Sequence, residues 1–207
     1  MSSKKIIDLY NQLAPEYDDL VLKGKDYVAY EKIPKWVVKD LDCKISEANI
    51  LDLGCGTGLS SIEFFKAGFQ VTGIDITPEM IQRAQKLPFQ RLFCMSLETD
   101  LPFNDKEFDA AVLLGVMEFI NDPKALFKEI FRVLKNHGIF GLSIPAKLPR
   151  DKEEKLEIFT YDKESIEKVF QSAGFSIKHC EKILGFTSSG EVVEYYGYLL
   201  KKDLSFI

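Results

Sequence analysis

From about residue 49 onward, apolar runs alternate with amphipathic ones. Residues 49–53 (NILDL), 70–75 (QVTGID), 91–95 (RLFCM), 108–115 (FDAAVLLG) and 138–145 (GIFGLSIP) predict strands. Several are almost continuously apolar, as a parallel sheet covered by helices on both faces requires. Helix signals lie between them. Thr77-Pro78-Glu79 places an N-cap, a proline at the first helical position and an acid in the first turn. Asp122-Pro123 opens a second helix, with Leu126, Phe127, Ile130, Phe131 and Leu134 at helical spacing and Asn136-His137-Gly138 as its expected end. A third is expected from Asp162, with Ile166, Val169 and Phe170 inward and Gly174 as its stop. The last two apolar runs, about 175–183 and 192–200, are joined by a link with Gly185, Ser188, Ser189 and Gly190. Two strands with no helix between them read as an antiparallel edge pair.

These elements predict an α/β fold: a Rossmann-like doubly wound sheet of about seven strands. It is mostly parallel with an antiparallel final strand and carries helices on both faces. Before the first strand, Ile6, Leu9, Tyr10 and Leu13 form one helical face that ends at Pro15. Trp36, Val37 and Leu41 belong to a second helix expected to follow Pro34. Residues 1–42, with Tyr10, Tyr17, Tyr27, Tyr30 and Trp36, read as a helical cap on a single globular unit spanning 43–207.

Composition narrows the class. The 207 residues are 46% hydrophobic and 29% charged, as in a globular domain. No apolar run approaches the roughly 20 residues of a membrane helix, and the N-terminal stretch is polar where a signal peptide needs an apolar block. A cytoplasmic protein without membrane insertion is expected. The net charge of -5 and the lack of a basic stretch make a nucleic-acid partner unexpected. Cys43, Cys55, Cys94 and Cys180 form no paired spacing and read as buried free thiols; with His137 and His179 far apart, no metal site is expected.

The candidate chemistry sits in ILDLGCGTGLSS, residues 50–61. Strand, glycine turn and helix let backbone amides approach a ligand closely. Gly54, Gly56 and Gly58 lack the Cβ that would block that approach. The spacing departs from a dinucleotide fingerprint, since Leu59 stands where its third glycine belongs, and no Lys-Ser/Thr follows as in a phosphate loop. Asp75, ending the second strand in GIDIT, is placed to accept both hydroxyls of a ribose. An adenosine-bearing ligand fits this pairing.

LDLGCGTG followed by GIDIT resembles the class I S-adenosylmethionine-dependent methyltransferases. LPFNDKEFDAAV and NDPKALFKEIFRVLKNHGIFGLSIP resemble later motifs of the group holding small-molecule and quinone methyltransferases. DLYNQLAPEYDD resembles that group's YD…YD entry segment, and FCMSLETDLPF and EVVEYYGYLL are similar to the methyltransferase-like proteins of the Williams–Beuren region. The resemblance implies S-adenosyl-L-methionine as cofactor, S-adenosyl-L-homocysteine as product and direct in-line methyl transfer to a small-molecule acceptor. It implies a loop Gly54-Cys55-Gly56-Thr57-Gly58 around the cofactor. Asp52 and the backbone at Gly54 and Gly56 then face its amino-acid part, with Asp75 and Ile76 at the ribose and adenine edge. Met80 covers the adenine, Leu114 and Gly115 offer carbonyls near the methyl, and Tyr10 and Tyr17 close over the methionine end. The chain departs from many relatives in three places. No Asp follows the third strand, where Ser96 and Leu97, with Glu98 as an alternative, stand for the adenine contact. Phe119 replaces a His, and Asn136-His137-Gly138 replaces Pro-Gly-Gly.

Methyl transfer from a sulfonium needs alignment more than a catalytic pair, so no catalytic side chain is nominated. Glu118, Glu191, Glu194, Tyr195 and His137 are bases by residue type only, and Phe64, Phe65, Phe103 and Phe119 read as core or pocket, with core the default for each. Two other functions remain open at this level: methylation of a protein or RNA, and a non-catalytic module that binds the cofactor. Neither the methylated atom nor the oligomeric state can be read from the sequence.

Overall fold

A computed structural model describes residues 2–24, 28–41, 48–146, 158–188 and 191–206. Three helices come first: α1 (Ser2–Leu13), α2 (Tyr17–Gly24) and α3 (Ala29–Asp40). Then follow β1 (Asn49–Leu53), α4 (Ile62–Lys66), β2 (Gln70–Asp75), α5 (Pro78–Ala84), β3 (Arg91–Cys94) and β4 (Phe108–Leu113). α6 (Pro123–Val133), β5 (Leu134–Pro145), α7 (Lys163–Ser172), β6 (Phe175–Ser188) and β7 (Glu191–Lys202) complete the order.

The seven strands form one sheet in the order β3-β2-β1-β4-β5-β7-β6. β7 runs antiparallel to both its neighbours, and the other pairings are parallel. The predicted antiparallel ending is therefore present. The order reverses between β1 and β4, and ligands of open α/β sheets bind beyond the strand ends at such a switch point.

Period-two alternation splits the core into two faces. Leu51, Leu53, Ala111, Leu113, Phe140 and Leu142 pack toward α6 and α7. Ile50, Ala110, Val112 and Ile139 pack toward Ile33 and Val37 of α3 and Phe64 of α4. A Cβ on Gly141 would come within 2.8 Å of Ile33, so a glycine is what lets α3 lie close to the sheet. Thus α3 is a covering layer of the sheet.

Several local expectations are corrected. α3 begins five residues before Pro34 and carries that proline inside it. Three buried side chains of this helix, Ala29, Ile33 and Val37, supply the packing that offsets the lost hydrogen bond. α2 had no sequence signal. Thr77 has the extended backbone of an N-cap, but its side chain makes no capping bond; Asp122 and Asp162 do cap, accepting from Lys124 N and Ala125 N and from Ser165 N. Asn136-His137-Gly138 does not end a helix. α6 stops at Val133, Leu134 already pairs with Phe108, and the next pairing is Ala110 with Ile139. The residues between bulge out of the ladder, with His137 at φ 64. Cys94 is exposed and Cys180 half-buried, so only Cys55 of the described cysteines is a core thiol. Tyr27, Cys43, Ser189 and Gly190 lie outside the described residues. Among the described residues no helix is long and apolar enough to cross a membrane.

Candidate functional site

The three glycines after β1 are small for different reasons. A Cβ on Gly54 would lie 2.3 Å from a Val116 methyl, and one on Gly58 would lie 2.5 Å from Leu87. Those two positions are filled by packing. Gly56 differs: its φ is +53, yet an added Cβ would meet nothing within 4 Å. Its empty side is a space that a side chain would occupy, as a ligand cradle requires.

Two carboxylates, the half-buried Asp75 and the fully buried Asp52, organise the loop. Asp75 Oδ2 accepts from Gly56 N and its Oδ1 from Thr77 N, both at 2.8 Å. One side chain therefore joins the glycine turn to the start of α5. Burial raises the Asp75 pKa, and the N–H donors of Thr77 and Gly56 partly offset it. Asp52, fully buried, accepts at Oδ2 from Ser60 Oγ and Ser61 Oγ at 2.6 Å each. Its Oδ1 has no hydrogen-bond partner. Burial pushes its pKa up to about 6, against the lowering effect of the two serine bonds.

These groups border a cavity of about 830 Å³, its open mouth included, at the carboxyl ends of β1, β2 and β4. Gly54, Gly56, Asp75, Ile76, Thr77 and Met80 form one side, and Ser96, Leu97 and Glu98 the edge beyond β3. Leu114 and Gly115 follow β4, where Gly115 N donates to Ser143 Oγ at 2.9 Å. Tyr10 of α1 and Tyr17 of α2 complete the wall. The two helices are tied down beside it: Thr57 Oγ1 donates to Asp18 Oδ1 at 2.5 Å, and Glu79 N to Asn11 Oδ1 at 3.3 Å. Burial first, then the carboxylates of Asp75, Glu118 and Asp18, raise the Tyr17 hydroxyl pKa well above the usual tyrosine range. Tyr17 stays protonated.

Eleven of the fifteen sequence-selected residues thus border one cavity. The other four stand behind it. Asp52 lies under the loop, Cys55 packs beneath Gly73, Thr57 bonds α2, and Gly58 packs on Leu87 and Phe89. Phe119, assigned to the core by sequence, lines the cavity together with Ile6, Val116 and Ile120, which no motif marked. Their signal was positional: Val116, Phe119 and Ile120 follow directly on Gly115. His137 is exposed in the β5 bulge, before the paired run of that strand, and so is at the opposite end of the sheet. Glu118 is buried, with Tyr195 Oη donating to its Oε1 at 3.4 Å. Its backbone carbonyl accepts from Phe159 N at 2.8 Å.

Residues 51–142 match a family model described as a methyltransferase domain. The chain is 30% identical to an uncharacterized protein of Methanocaldococcus jannaschii over 205 residues, covering 92% of this chain and 94% of the relative. It is 32% identical to the provisionally named methyltransferase YqeM of Bacillus subtilis over 171 residues, 79% of this chain. It spans 66% of that protein, just under two thirds. Among solved structures, magnesium protoporphyrin IX methyltransferase from Synechocystis, with bound S-adenosylhomocysteine, matches at a TM-score of 0.75. The identity there is 19%, covering 98% of this chain and all of the other, which is a likeness of fold.

Proposed function

This chain belongs to the class I S-adenosylmethionine-dependent methyltransferases, and we propose that it methylates a small-molecule acceptor. When bound, S-adenosylmethionine supplies a methyl carbon on a sulfonium and leaves as a neutral thioether. An acceptor's electron pair would form the new bond to carbon as the carbon–sulfur pair returned to sulfur, and Leu114, Gly115, Tyr10 and Tyr17 would surround that methyl. The protein's task in such a step is alignment and exclusion of water, which can be worth ~7–11 kcal/mol.

The residues fit the cofactor in two respects. The open space at Gly56 admits a ligand against bare backbone. Asp75 retains acceptor capacity on both oxygens after its two backbone bonds, enough for a ribose diol. Asp52, behind the cavity, would shape the loop through Ser60 and Ser61. In this reading Ile76, Met80, Ser96 and Leu97 hold the adenine, while Leu114, Gly115, Tyr10 and Tyr17 surround the methyl end. Cys55, Thr57 and Gly58 shape the loop from behind. Residues 2–24 act as the cap, a shorter segment than the 1–42 expected from sequence, because α3 is committed to the sheet.

The observation that carries the small-molecule reading is that Tyr10 and Tyr17, on helices bonded to Thr57 and Glu79, wall the cavity. A site walled by the N-terminal helices as well as by the strand ends suits a ligand that is surrounded. Labelled methyl donor incubated with the protein and a cell extract tests it. Label is expected in the low-molecular-weight fraction. Label confined to protein or RNA, or no transfer at all, would overturn the reading.

A further inference from the structure

We propose that the acceptor is a flat, ring-bearing, largely apolar molecule without an anionic group; this rests on the small-acceptor reading above. Beyond the residues assigned to nucleoside and amino acid, the wall around the Leu114–Gly115 turn consists of Ile6, Tyr10, Tyr17, Val116, Phe119 and Ile120, while Thr77 and Glu98 lie on the side that follows β2 and β3. Those six are aliphatic or aromatic, and their only side-chain polar groups are two tyrosine hydroxyls. Three rings form a corner. Tyr10 meets Phe119 at 5.9 Å between centroids and 84° between planes, and meets Tyr17 at 6.1 Å and 57°. Rings set at such angles offer both faces and edges to a further ring, whose preferred contacts are edge-to-face or offset.

Charge points the same way. The charged residues lining the cavity are Asp75 and Glu98, both acidic. Among the described residues no Lys, Arg or His lines it. Against the Ile6, Val116, Phe119 and Ile120 wall, an acceptor carboxylate or phosphate would lose its water and meet no cationic side chain. A neutral ring loses little on desolvation and gains the burial of its apolar surface. The polar groups available to orient a hydroxyl or amine are the two tyrosines and backbone at the Leu114–Gly115 turn, few and placed, as in ligand pockets generally.

The test uses 2-naphthol and its anionic counterpart 6-hydroxy-2-naphthoate as probes, titrated into the whole protein with and without saturating S-adenosylhomocysteine. Naphthol is expected to bind, and the naphthoate at least tenfold more weakly. Phe119→Ala should weaken naphthol at least tenfold and leave S-adenosylhomocysteine within twofold. Phe119→Leu, which keeps the apolar bulk and removes only the ring, should weaken naphthol about fivefold and covers the case in which the alanine variant fails to fold. Equal or tighter binding of the naphthoate, no binding of naphthol, or unchanged naphthol affinity in both variants would overturn the proposal. Failure of S-adenosylhomocysteine to bind would instead remove the cofactor assignment, while the naphthol titrations of the free protein would still decide the nature of the wall.

Discussion

On the side of the sheet formed by β5, β7 and β6, buried groups are consolidated. Phe140 sits between Phe127 and Phe175 at 5.7 and 5.6 Å, and Tyr198 meets Phe170 at 5.1 Å. Even the buried Lys202 is satisfied, donating to Phe131 O and Leu134 O at 2.6 and 2.7 Å and so closing the end of α6. On the side formed by β3, β2, β1 and β4, the chain keeps features that cost stability. A fully buried carboxylate has one oxygen without a partner among the described residues, and a cavity opens between elements. The difference teaches where the fold gets its free energy and where it uses some: open space and unmet polarity collect around the glycine loop.

The largest effect should come from the consolidated side. Phe140→Ala is expected to lose about 3–5 kcal/mol in urea denaturation. Cofactor affinity of the folded fraction, read by calorimetry, should stay within twofold. A parallel loss of affinity would mean that the two sides are not separable.

Asp52→Asn should act in the opposite sense. The native carboxyl titrates near 6 and an ordinary one near 3.8, so between those values the native state binds more protons than the unfolded state. Stability contributed by this group therefore falls as pH rises through that window, and the penalty is complete above about pH 6. The variant should be more stable than the parent by up to about 3 kcal/mol at pH 8, with the gain vanishing at pH 4 and below. Stability curves at several pH values check this, and an unchanged difference across pH would contradict the assignment.

The glycines separate more finely. Gly58→Ala meets both a positive φ and Leu87, so thermal stability should fall by more than the ~1–2 kcal/mol of the conformation alone. Gly56→Ala carries only the conformational cost and should mainly reduce cofactor affinity. The smallest effect is expected of Asp18→Ala. It removes the bond from Thr57, worth about 1 kcal/mol, and should show as a roughly fivefold faster cofactor release in stopped flow.

Most of the strands and the antiparallel ending were legible because continuous apolar runs and proline-led helix starts are local signals. Asp75 and the glycine loop were legible for the same reason: their spacing is short in sequence. Four features were not. The Pro34 helix exists because Ala29, Ile33 and Val37 meet the sheet, a tertiary gain that local propensity does not contain. The β5 bulge looked like a helix stop because Asn, His and Gly favour positive φ in either setting. The cavity wall of Val116, Phe119 and Ile120 looked like core because a lining for an apolar ligand has the composition of a core. The different tasks of Gly54, Gly56 and Gly58 depend on neighbours about 29 to 62 residues away, Leu87, Phe89 and Val116, which no motif specifies.

The central claim is that bare backbone at Gly56 and the carboxylate of Asp75 together hold the nucleoside. Calorimetric titration of S-adenosylmethionine into the parent protein and into Asp75→Ala tests it most directly, with circular dichroism confirming that the variant is folded. The account predicts saturable one-to-one binding in the parent and at least hundredfold weaker binding in the variant. Equal affinity in the two, or no binding to either, would contradict it.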